Sequence, residues 1–295
     1  MDPIARIIGD ELGVVPARIS PIPTAGDSVV AEVDLGDRVV FFKEEPTRDI
    51  AARLWIEERV RAVGVPVPRT VASRLEPDPR AHGWTITERV SGAPIPQRSI
   101  ADAVPAALCV EAGRAIRLLH SIDVPGVGWL AVDPEARGVN ASWSAMMTDE
   151  ADWGLDYVAE HGLLDHALIE AQRAAACAAV PSWDAHGYRC LLHGDLRPDH
   201  IFVDGERITA IIDFQGRVGD PVHDIAKWSL LGGPGGLDAF LDGYEPGDAI
   251  VAGIEERLSL YETIWATGII RWFHERDTER AHLIPWLRRV VEARL

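Results

Sequence analysis

Three side chains in this sequence have the types and the spacing needed for phosphoryl transfer. Asp195, His200 and Asp213 all lie within residues 191–226. A carboxylate can orient an attacking hydroxyl and accept its proton, and a second carboxylate beside an imidazole can hold Mg²⁺ against the phosphates of a nucleotide. Asp195 alone would be explained more simply as part of an acid-rich structural loop. The three residues together indicate a metal-assisted phosphoryl-transfer site.

The elements around these side chains must bring them together. Residues 201–203 and 208–212 are short apolar runs separated by the turn Asp204-Gly205, a pattern that predicts a β-hairpin. The apolar pair Leu191-Leu192 predicts another buried strand shortly before the first carboxylate. Two of the three candidate side chains precede the hairpin and the third follows it. We therefore expect all three at one end of a small sheet.

The same stretch resembles the active-site motifs of a known family. His193-x-Asp195-x-x-x-x-His200, followed by Asp213-Phe214-Gln215, has the logic of the HxDxxxxN and DFG motifs of protein kinases. It closely resembles the antibiotic kinases of the aminoglycoside phosphotransferase family, with the hygromycin B and basic-antibiotic phosphotransferases as the nearest group. Their loop commonly reads HGDLHPxN and is followed by Ile-Asp-Phe or Ile-Asp-Trp and then Gly-Asp-Pro. Gly219-Asp220-Pro221 and Asp224 match that tail in register.

The resemblance implies a role for each polar residue of the loop. It implies that Asp195 orients the acceptor hydroxyl, that His193 braces the loop and that Arg197 stabilises charge on the transferring group. It also implies that His200 and Asp213 hold Mg²⁺. The family usually carries Asn at the position of His200. Because Mg²⁺ prefers oxygen ligands, the sequence leaves open whether this imidazole binds the ion directly or through water.

The N-terminal residues predict a nucleotide-binding lobe. Apolar runs predict three strands, at residues 19–22, 29–33 and 39–42. The loop between the first two strands contains Gly26 and Ser28, which by resemblance would cover the nucleotide phosphates. Lys43 ends the third strand, and the resemblance implies that it pairs with those phosphates.

A helix over residues 49–63 is expected from its apolar spacing. The resemblance implies that this helix supplies a glutamate to pair with Lys43. Glu57 is the first candidate and Glu58 the alternative. Either could instead be an exposed side chain on the solvent face of the helix.

Residues 84–90 predict a further strand. The resemblance implies that this strand leads into the hinge between two lobes, where the backbone from Glu88 to Val90 would bind the adenine edge. We expect an N-lobe of residues 1–90 that binds the nucleotide. Residues 91–295 would form the C-lobe, which holds the catalytic and substrate-binding residues.

The C-lobe sequence predicts helices, at residues 107–119, 148–180 (two helices), 236–246, 250–276 and 281–294. Candidates for contact with a substrate in this region are Asp152, Asp156, Glu262, Trp129 and Trp272. Asp152 and Asp156 are four residues apart and would share one helix face. Two like charges so placed favour a cation between them, although a solvated acidic face is the simpler explanation.

The composition limits the classes of partner. Net charge is −17, from 29 basic and 46 acidic residues. This excludes the basic footprint of a nucleic-acid-binding protein and suits a cationic small substrate, although it could serve solubility alone. Three dispersed cysteines predict neither a disulfide framework nor a zinc site. The polar N-terminus and the lack of a long apolar run predict no signal peptide, no membrane contact and a cytoplasmic protein. We expect a monomer or weak dimer.

The fold class implied by the resemblance is α+β, a two-lobed protein-kinase-like fold with a five-stranded N-terminal sheet and a larger helical C-terminal lobe. The expected cofactors are ATP, with GTP possible, and Mg²⁺. The favoured function is phosphorylation of a hydroxyl of a cationic antibiotic, of the aminoglycoside, aminocyclitol or basic peptide type. The alternatives are a macrolide kinase, a metabolic kinase for choline, homoserine or a sugar, and a catalytically inactive nucleotide-binding protein.

Overall fold

A five-stranded antiparallel sheet forms the N-terminal part of the protein. The computed structural model describes residues 2–24, 28–96, 103–276 and 280–295. The strands of this sheet are β1 (Arg18–Ile22), β2 (Val29–Asp34), β3 (Val39–Pro46), β4 (Thr70–Arg74) and β5 (His82–Glu88). Their order is β1-β2-β3-β5-β4, and every adjacent pair is antiparallel. The expected five-stranded sheet is confirmed, with β4 as a strand that the sequence pattern did not predict.

Strand β3 shows how this sheet divides its side chains between a core and a cavity. Val40 and Phe42 are buried in a cluster with helix α1 (Pro3–Leu12). Phe41 and Lys43 alternate with them and line a cavity on the opposite face. Successive side chains of a strand point to opposite faces. The burial of the apolar pair therefore directs the lysine into the cavity.

The chain changes from one sheet to another close to the expected lobe boundary. Helix α2 (Thr47–Ala62) packs beside β3 and β5 of the first sheet. After β5 ends, the next strand is β6 (Ala93–Pro94), which pairs with a strand of the C-terminal part. Our proposed boundary between residues 90 and 91 falls in the connection between these two strands.

Two small sheets carry the catalytic stretch. The first contains β6 with β10 (Ile201–Asp204) and β11 (Arg207–Ile211), in the order β11-β10-β6. Strands β10 and β11 are antiparallel, so the predicted hairpin is confirmed. The second sheet has four strands: β7 (Gly128–Ala131), β8 (Arg137–Gly138), β9 (Cys190–Leu192) and β12 (Arg217–Gly219). Their order is β8-β7-β12-β9.

Helices form most of the remaining C-terminal part. They are α3 (Ala106–His120), α4 (Trp143–Glu160), α5 (His166–Ala185), α6 (Val222–Leu231), α7 (Gly236–Tyr244), α8 (Asp248–Val251), α9 (Ile254–Glu275) and α10 (Ile284–Arg294). Helix α9 packs against α4, α6 and α10. Helix α6 was not predicted; it is buried on nearly all sides, and its buried residues include the polar side chains His223, Asp224 and Lys227, so burial does not follow the polarity of the sequence. Throughout the described ranges, no helix is both long enough and apolar enough to cross a bilayer.

Candidate active site

The loop that follows β9 is anchored by a buried carboxylate of α6. Asp224 accepts hydrogen bonds from the backbone N–H groups of His193 and Gly194, at 2.6 and 2.9 Å. His120 Nε2 lies 3.0 Å from the same carboxylate. Burial alone would raise the pKa of Asp224, but hydrogen bonding and charge from His120, with smaller effects of His193 and His223, lower it to about 2. Asp224 is therefore ionised at neutral pH and fixes the backbone of the loop.

Asp195 projects from this loop into an ion pair with Lys227 of α6. Lys227 Nζ lies 2.8 Å from Asp195 Oδ1 and 3.6 Å from the centre of the Trp265 ring. Burial would raise the pKa of Asp195, but the charges of Lys227, His200 and Arg197 hold it well below its ordinary range. Burial in turn lowers the pKa of Lys227, and Asp195 opposes that change. The lysine thus holds one carboxylate oxygen and leaves Oδ2 for another partner.

His193 supports the loop from inside the protein. Its side chain is buried, and its Nδ1 accepts a hydrogen bond from the backbone N–H of Asp195 at 3.2 Å. The ring packs against Phe214 at 4.8 Å and against His200 at 5.8 Å between centroids. Burial lowers the pKa of His193 to about 4. The imidazole is therefore neutral at physiological pH, in contact with the loop backbone.

His200 lies between the two carboxylates of the predicted site. Its Nδ1 is 3.8 Å from Asp195 Oδ2, and its Nε2 is 3.6 Å from Asp213 Oδ2. The expectation that the hairpin brings these three side chains together is confirmed by these distances. Nδ1 also lies 3.0 Å from the backbone carbonyl of Asp195, so Nδ1–H must be the donor. Nε2 then accepts a hydrogen bond from Arg197 Nη2 at 2.9 Å.

The residues of the site fit a magnesium ion in part. The side chain of Asp213 is 53% exposed and lines two neighbouring cavities, so its oxygens are available to a hard cation. The lone pair on His200 Nε2 is instead occupied by Arg197, which also contacts Asp199 at 2.9 Å. A direct bond from this imidazole to a metal would require Arg197 to move. Among the described residues, no cluster of three His, Cys, Asp or Glu side chains could by itself hold a metal.

The nucleotide cavity, as we name it here, lies between the first sheet and the β10–β11 hairpin and has a volume of about 560 Å³. Apolar side chains cover it from both sides: Ile22, Val30 and Phe41 from the sheet, and Phe202, Ile212 and Phe214 from below. The polar and hinge residues expected to bind a nucleotide also line it: Ser28, Lys43, Glu57, Glu88 and Val90. Gly26, predicted for the same loop, lies outside the described residues.

Lys43 has a different partner from the one expected. Its Nζ contacts Glu45 Oε2 at 2.7 Å, within the same strand. Arg53 of α2 contacts both Glu45, at 2.8 Å, and Glu57, at 3.3 Å, and Glu57 also accepts a hydrogen bond from Thr70. The expected Lys43–Glu57 ion pair is therefore absent from the described contacts. Lys43 pairs with Glu45 instead, and Arg53 pairs with Glu57. The spacing between Lys43 and Glu57 does not show this competition. Arg53 lies one helical turn before Glu57 and forms the ion pair with it in place of Lys43.

The acceptor cavity, as we name it here, lies on the other side of Asp213 and has a volume of about 670 Å³. Asp195, Arg197, His200 and Lys227 line its catalytic end. Its opposite wall consists mainly of one face of α9 with part of α4: Trp153, Ile264, Trp265, Gly268, Ile269, Trp272 and Phe273. Asp195 thus opens into a cavity next to the one that Lys43 lines, and Asp213 belongs to both.

The family model of the "Phosphotransferase enzyme family" matches residues 30–259 of this chain. The match covers well over half of the sequence and includes Lys43, Asp195 and Asp213, whereas the α9 residues that line the acceptor cavity lie beyond its end. The chain belongs to this family. A relative in Bacillus subtilis (strain 168), the uncharacterized protein YcbJ, is 30% identical over 88 residues, which is 29% of this chain and 29% of that protein.

Solved structures share the fold of this phosphotransferase at low sequence identity. The APH(4)-Ia aminoglycoside phosphotransferase, in ternary complex with ADP and hygromycin B, matches with a TM-score of 0.67 and 15% identity over 99% of this chain and 97% of that chain. The GDP and kanamycin complex of APH(2")-IIia matches with a TM-score of 0.69 and 16% identity over 98% of each chain. A Thermobifida fusca protein assigned as a fructosamine-3-kinase matches with a TM-score of 0.67 and 17% identity over 99% of each. The expected two-lobed kinase-like α+β fold is confirmed.

The acidic residues expected on the substrate side of this phosphotransferase lie elsewhere. Asp152 and Asp156 do share one face of α4, but Arg173 of α5 contacts both, the second at 2.6 Å. The cation that two neighbouring carboxylates favour is thus supplied by the protein. Glu262 is buried and contacts Arg294 at 2.5 Å and Ser229 at 2.6 Å, beside a separate cavity. None of the three lines the acceptor cavity.

The two tryptophans expected as substrate walls separate in the structure. Trp272 lines the acceptor cavity and is 37% exposed. Trp129 is 45% exposed and lines a different cavity beside α2, where its ring packs on Arg217 at 4.7 Å. Lys227 was missed because a lysine inside a buried helix carries no local motif. Its position one helical turn after Asp224 is the only sequence signal that it faces the same loop.

Proposed function

We propose that this protein transfers the γ-phosphoryl group of a nucleoside triphosphate to a hydroxyl of a small molecule. The observation that carries the proposal is the position of Asp195, which opens into the acceptor cavity while Asp213 joins that cavity to the nucleotide cavity. A hydroxyl bound beside Asp195 would face a γ-phosphate held beside Asp213. In-line transfer requires this arrangement, because the attacking and leaving oxygens lie on opposite sides of the phosphorus.

Asp195 would act mainly by orienting the acceptor. Its Oδ1 is held by Lys227, and its Oδ2 would accept the hydrogen bond of the acceptor hydroxyl. The acceptor oxygen forms a bond to the γ-phosphorus. The bond between the γ-phosphorus and the oxygen that bridges it to the β-phosphate breaks, and the nucleoside diphosphate leaves with that oxygen. The hydroxyl proton passes to Asp195 and then to solvent. A carboxylate of low pKa suits a loose transition state, in which the proton leaves late and positioning contributes most.

Asp213 is the residue that would hold Mg²⁺, which supplies neutralisation of phosphate charge when bound. Lys43 would contact the nucleotide phosphates from the other side, released from Glu45 or bridging to it. Arg197 is placed to contact the transferring group, because its Nε lies 4.0 Å from Asp195 Oδ2. His193 would keep the loop in register from its buried position. ATP is the expected donor, and the ADP and GDP complexes of the structural neighbours support a purine nucleotide.

The acceptor class is less closely defined by these features. The hygromycin B and kanamycin complexes of the neighbours support an antibiotic, and the match to a protein assigned as a fructosamine-3-kinase supports a metabolic acceptor. A cytoplasmic location and a monomeric or weakly dimeric state remain predictions from the sequence. The expected cationic antibiotic was based on net charge, whereas the lining of the acceptor cavity favours another class of acceptor.

Formation of nucleoside diphosphate in the presence of candidate acceptors tests the proposal. Purified protein with Mg·ATP and a broad panel of alcohols should release ADP together with a phosphorylated acceptor, identified by a mass increase of one phosphoryl group. Asp195→Ala and Lys43→Ala are the controls for the two halves of the site. Failure to bind Mg·ATP, measured by calorimetry, would remove the proposal irrespective of the acceptor.

A further inference from the structure

We infer that the acceptor is an uncharged alcohol with an aromatic or branched apolar body, and not a polycation. This inference rests on the proposed function, since it concerns the occupant of the same acceptor cavity. Three features of the described lining carry it: an apolar wall, charged side chains that already have partners, and aromatic rings that already hold cations.

The apolar wall comes from one face of α9. Its residues recur at helical spacing, at positions 264, 265, 268, 269, 272 and 273. Gly268 lies in the middle of this face, opposite Trp153 of α4, and both residues line the cavity. A Cβ added to Gly268 would lie 3.5 Å from the Trp153 ring, which is ordinary contact, so the ring packs close to α9 at this position. An apolar group of a ligand could lie against both helices here.

The cationic and anionic side chains that line the acceptor cavity are nearly equal in number. The described lining contains four cationic side chains, Arg197, Arg217, Lys227 and Arg280, and three carboxylates, Glu150, Asp195 and Asp213. Among the described lining residues, cations thus outnumber carboxylates by one, although the whole chain has a net charge of −17. This described wall offers a polycation no excess of negative charge.

Each of these carboxylates also has an assigned partner. Glu150 contacts Arg217 at 2.7 Å and His223 at 3.3 Å; burial would raise the pKa of Glu150, but these two neighbours lower it to about 2. Asp195 is held by Lys227. Asp213 lines the nucleotide cavity as well and would face the metal and phosphates. A ligand ammonium group would lose its hydration shell without gaining an unpaired carboxylate, and burying such a charge is unfavourable.

The aromatic rings are likewise occupied. Arg271 lies 4.2 Å from the Trp153 ring centre, Lys227 lies 3.6 Å from Trp265, and Arg276 lies 5.7 Å from Trp272. Phe273 has Arg280 at 5.5 Å. An aromatic cage for a quaternary ammonium needs ring faces that no other cation already occupies. This lining therefore disfavours a choline-type acceptor as well as an aminoglycoside, and leaves apolar contact as the main source of affinity.

A matched series of alcohols with one ring and different charge tests the inference. The probes are 3-phenyl-1-propanol, which is uncharged, phenylalaninol, which is cationic, and 3-phenyllactate, which is anionic. Binding to the complex of the protein with Mg·AMP-PNP is measured by ligand-observed NMR titration, with kanamycin and hygromycin B as polycationic probes. We expect the neutral alcohol to bind at least about tenfold more tightly than either charged analogue, because each charge must be desolvated.

A cavity-filling variant assigns that binding to the α9 wall. Gly268→Leu should weaken binding of the neutral alcohol by at least about tenfold, since the larger side chain would extend past the Trp153 contact into the cavity, while helix propensity favours the substitution. Gly9→Leu is the matched control. Gly9 is also a helical glycine, has no atom near its added Cβ, and lies in α1 beside the first sheet. It should leave binding unchanged.

The outcomes separate the inference from the proposed function. Tighter binding of phenylalaninol, 3-phenyllactate or either aminoglycoside than of the neutral alcohol would overturn the inference. Binding of none of the probes, or equal binding to the wild type and to Gly268→Leu, would also overturn it. Lack of Mg·AMP-PNP binding would instead count against the phosphotransferase function itself, whatever the acceptor titrations give.

Discussion

The nucleotide cavity and the acceptor cavity share Asp213 but differ in how the chain builds them. The nucleotide cavity is lined largely by strands of the first sheet and by the segment that follows β11, whose residues follow recognisable local patterns. Lys43, for example, follows the apolar run of β3, although the strand continues to Pro46 and does not end at Lys43 as expected. The acceptor cavity is lined by α4, α6 and α9, which are far apart in sequence and meet only through packing. The catalytic chemistry is therefore encoded locally, whereas the shape and charge of the specificity site depend on distant helices. The predictions below test this division.

Removal of Asp195 should have the largest effect, and it should lower turnover without lowering nucleotide affinity. Asp195→Ala should lower kcat by about 10²–10⁴-fold, the range typical of a positioned general base. Nucleotide affinity should change little, because the side chain opens into the acceptor cavity. Steady-state kinetics and calorimetric titration of Mg·ATP measure the two quantities. A variant that retains more than about a tenth of wild-type kcat would exclude the assigned role.

Asp213→Asn should instead act on the nucleotide side. It replaces the exposed carboxylate available to the metal by a neutral amide, and we expect Mg·ATP affinity to fall by about 10–100-fold. His200→Asn is the matched change, because it introduces the residue common in the family at a position where Nε2 already bonds Arg197. It should be tolerated within a few fold. Equal losses of nucleotide affinity in both variants would show that the imidazole of His200 contributes to nucleotide binding in a way that an amide cannot replace.

Lys227→Met tests the contact that joins the helical lobe to the catalytic loop. Without Lys227, burial acts on Asp195 with less opposing charge, so its pKa rises. Because the ionised carboxylate is the active form, kcat/KM should fall as pH falls through the raised pKa, giving an acid limb at higher pH than any in the wild type. The wild type, whose Asp195 pKa is depressed, should lack that limb.

Lys227→Arg keeps the positive charge and should restore the flat pH profile, although kcat could be lower because guanidinium geometry differs from that of an ammonium. The thermal midpoint of each variant, measured at pH 7, separates a loss of folding from a change in titration. An unchanged pH profile in Lys227→Met would mean that other groups set the protonation of Asp195.

The local half of the molecule could be predicted from the sequence for physical reasons. The β10–β11 hairpin follows from two β-prone runs around Asp204-Gly205, and hairpin geometry then brings Asp195, His200 and Asp213 together. Alternation along β3 likewise directs Lys43 away from the core. These inferences need only short-range periodicity and turn chemistry.

The rest depended on pairings between distant segments, which periodicity does not encode. Asp152 and Asp156 were correctly placed on one helix face, but their partner Arg173 comes from the next helix along. Net charge suggested an acidic substrate site, yet the three candidate acids are paired with arginines and lie outside the described lining of the acceptor cavity. Helix α6, which supplies both Asp224 and Lys227, was missed because it is buried on nearly all sides. The ion-pair partners of these residues and the placement of α6 depend on contacts between distant elements. The periodicity of a single sequence does not contain that information.

The smallest expected effect concerns salt, and it distinguishes the two cavities most directly. Raising ionic strength from 0.01 to 0.1 M shortens the screening length from about 30 to about 10 Å. A cationic acceptor drawn to a protein of net charge −17 would lose affinity and association rate over this range. An uncharged alcohol bound against α9 should keep its KM within about twofold, since its contacts are apolar. The acceptor KM, measured at saturating Mg·ATP, distinguishes a cationic from an uncharged acceptor. The nucleotide KM, measured in parallel, is an internal control that should respond to salt. A several-fold rise in the acceptor KM would show that long-range charge, and not the apolar wall, selects the substrate.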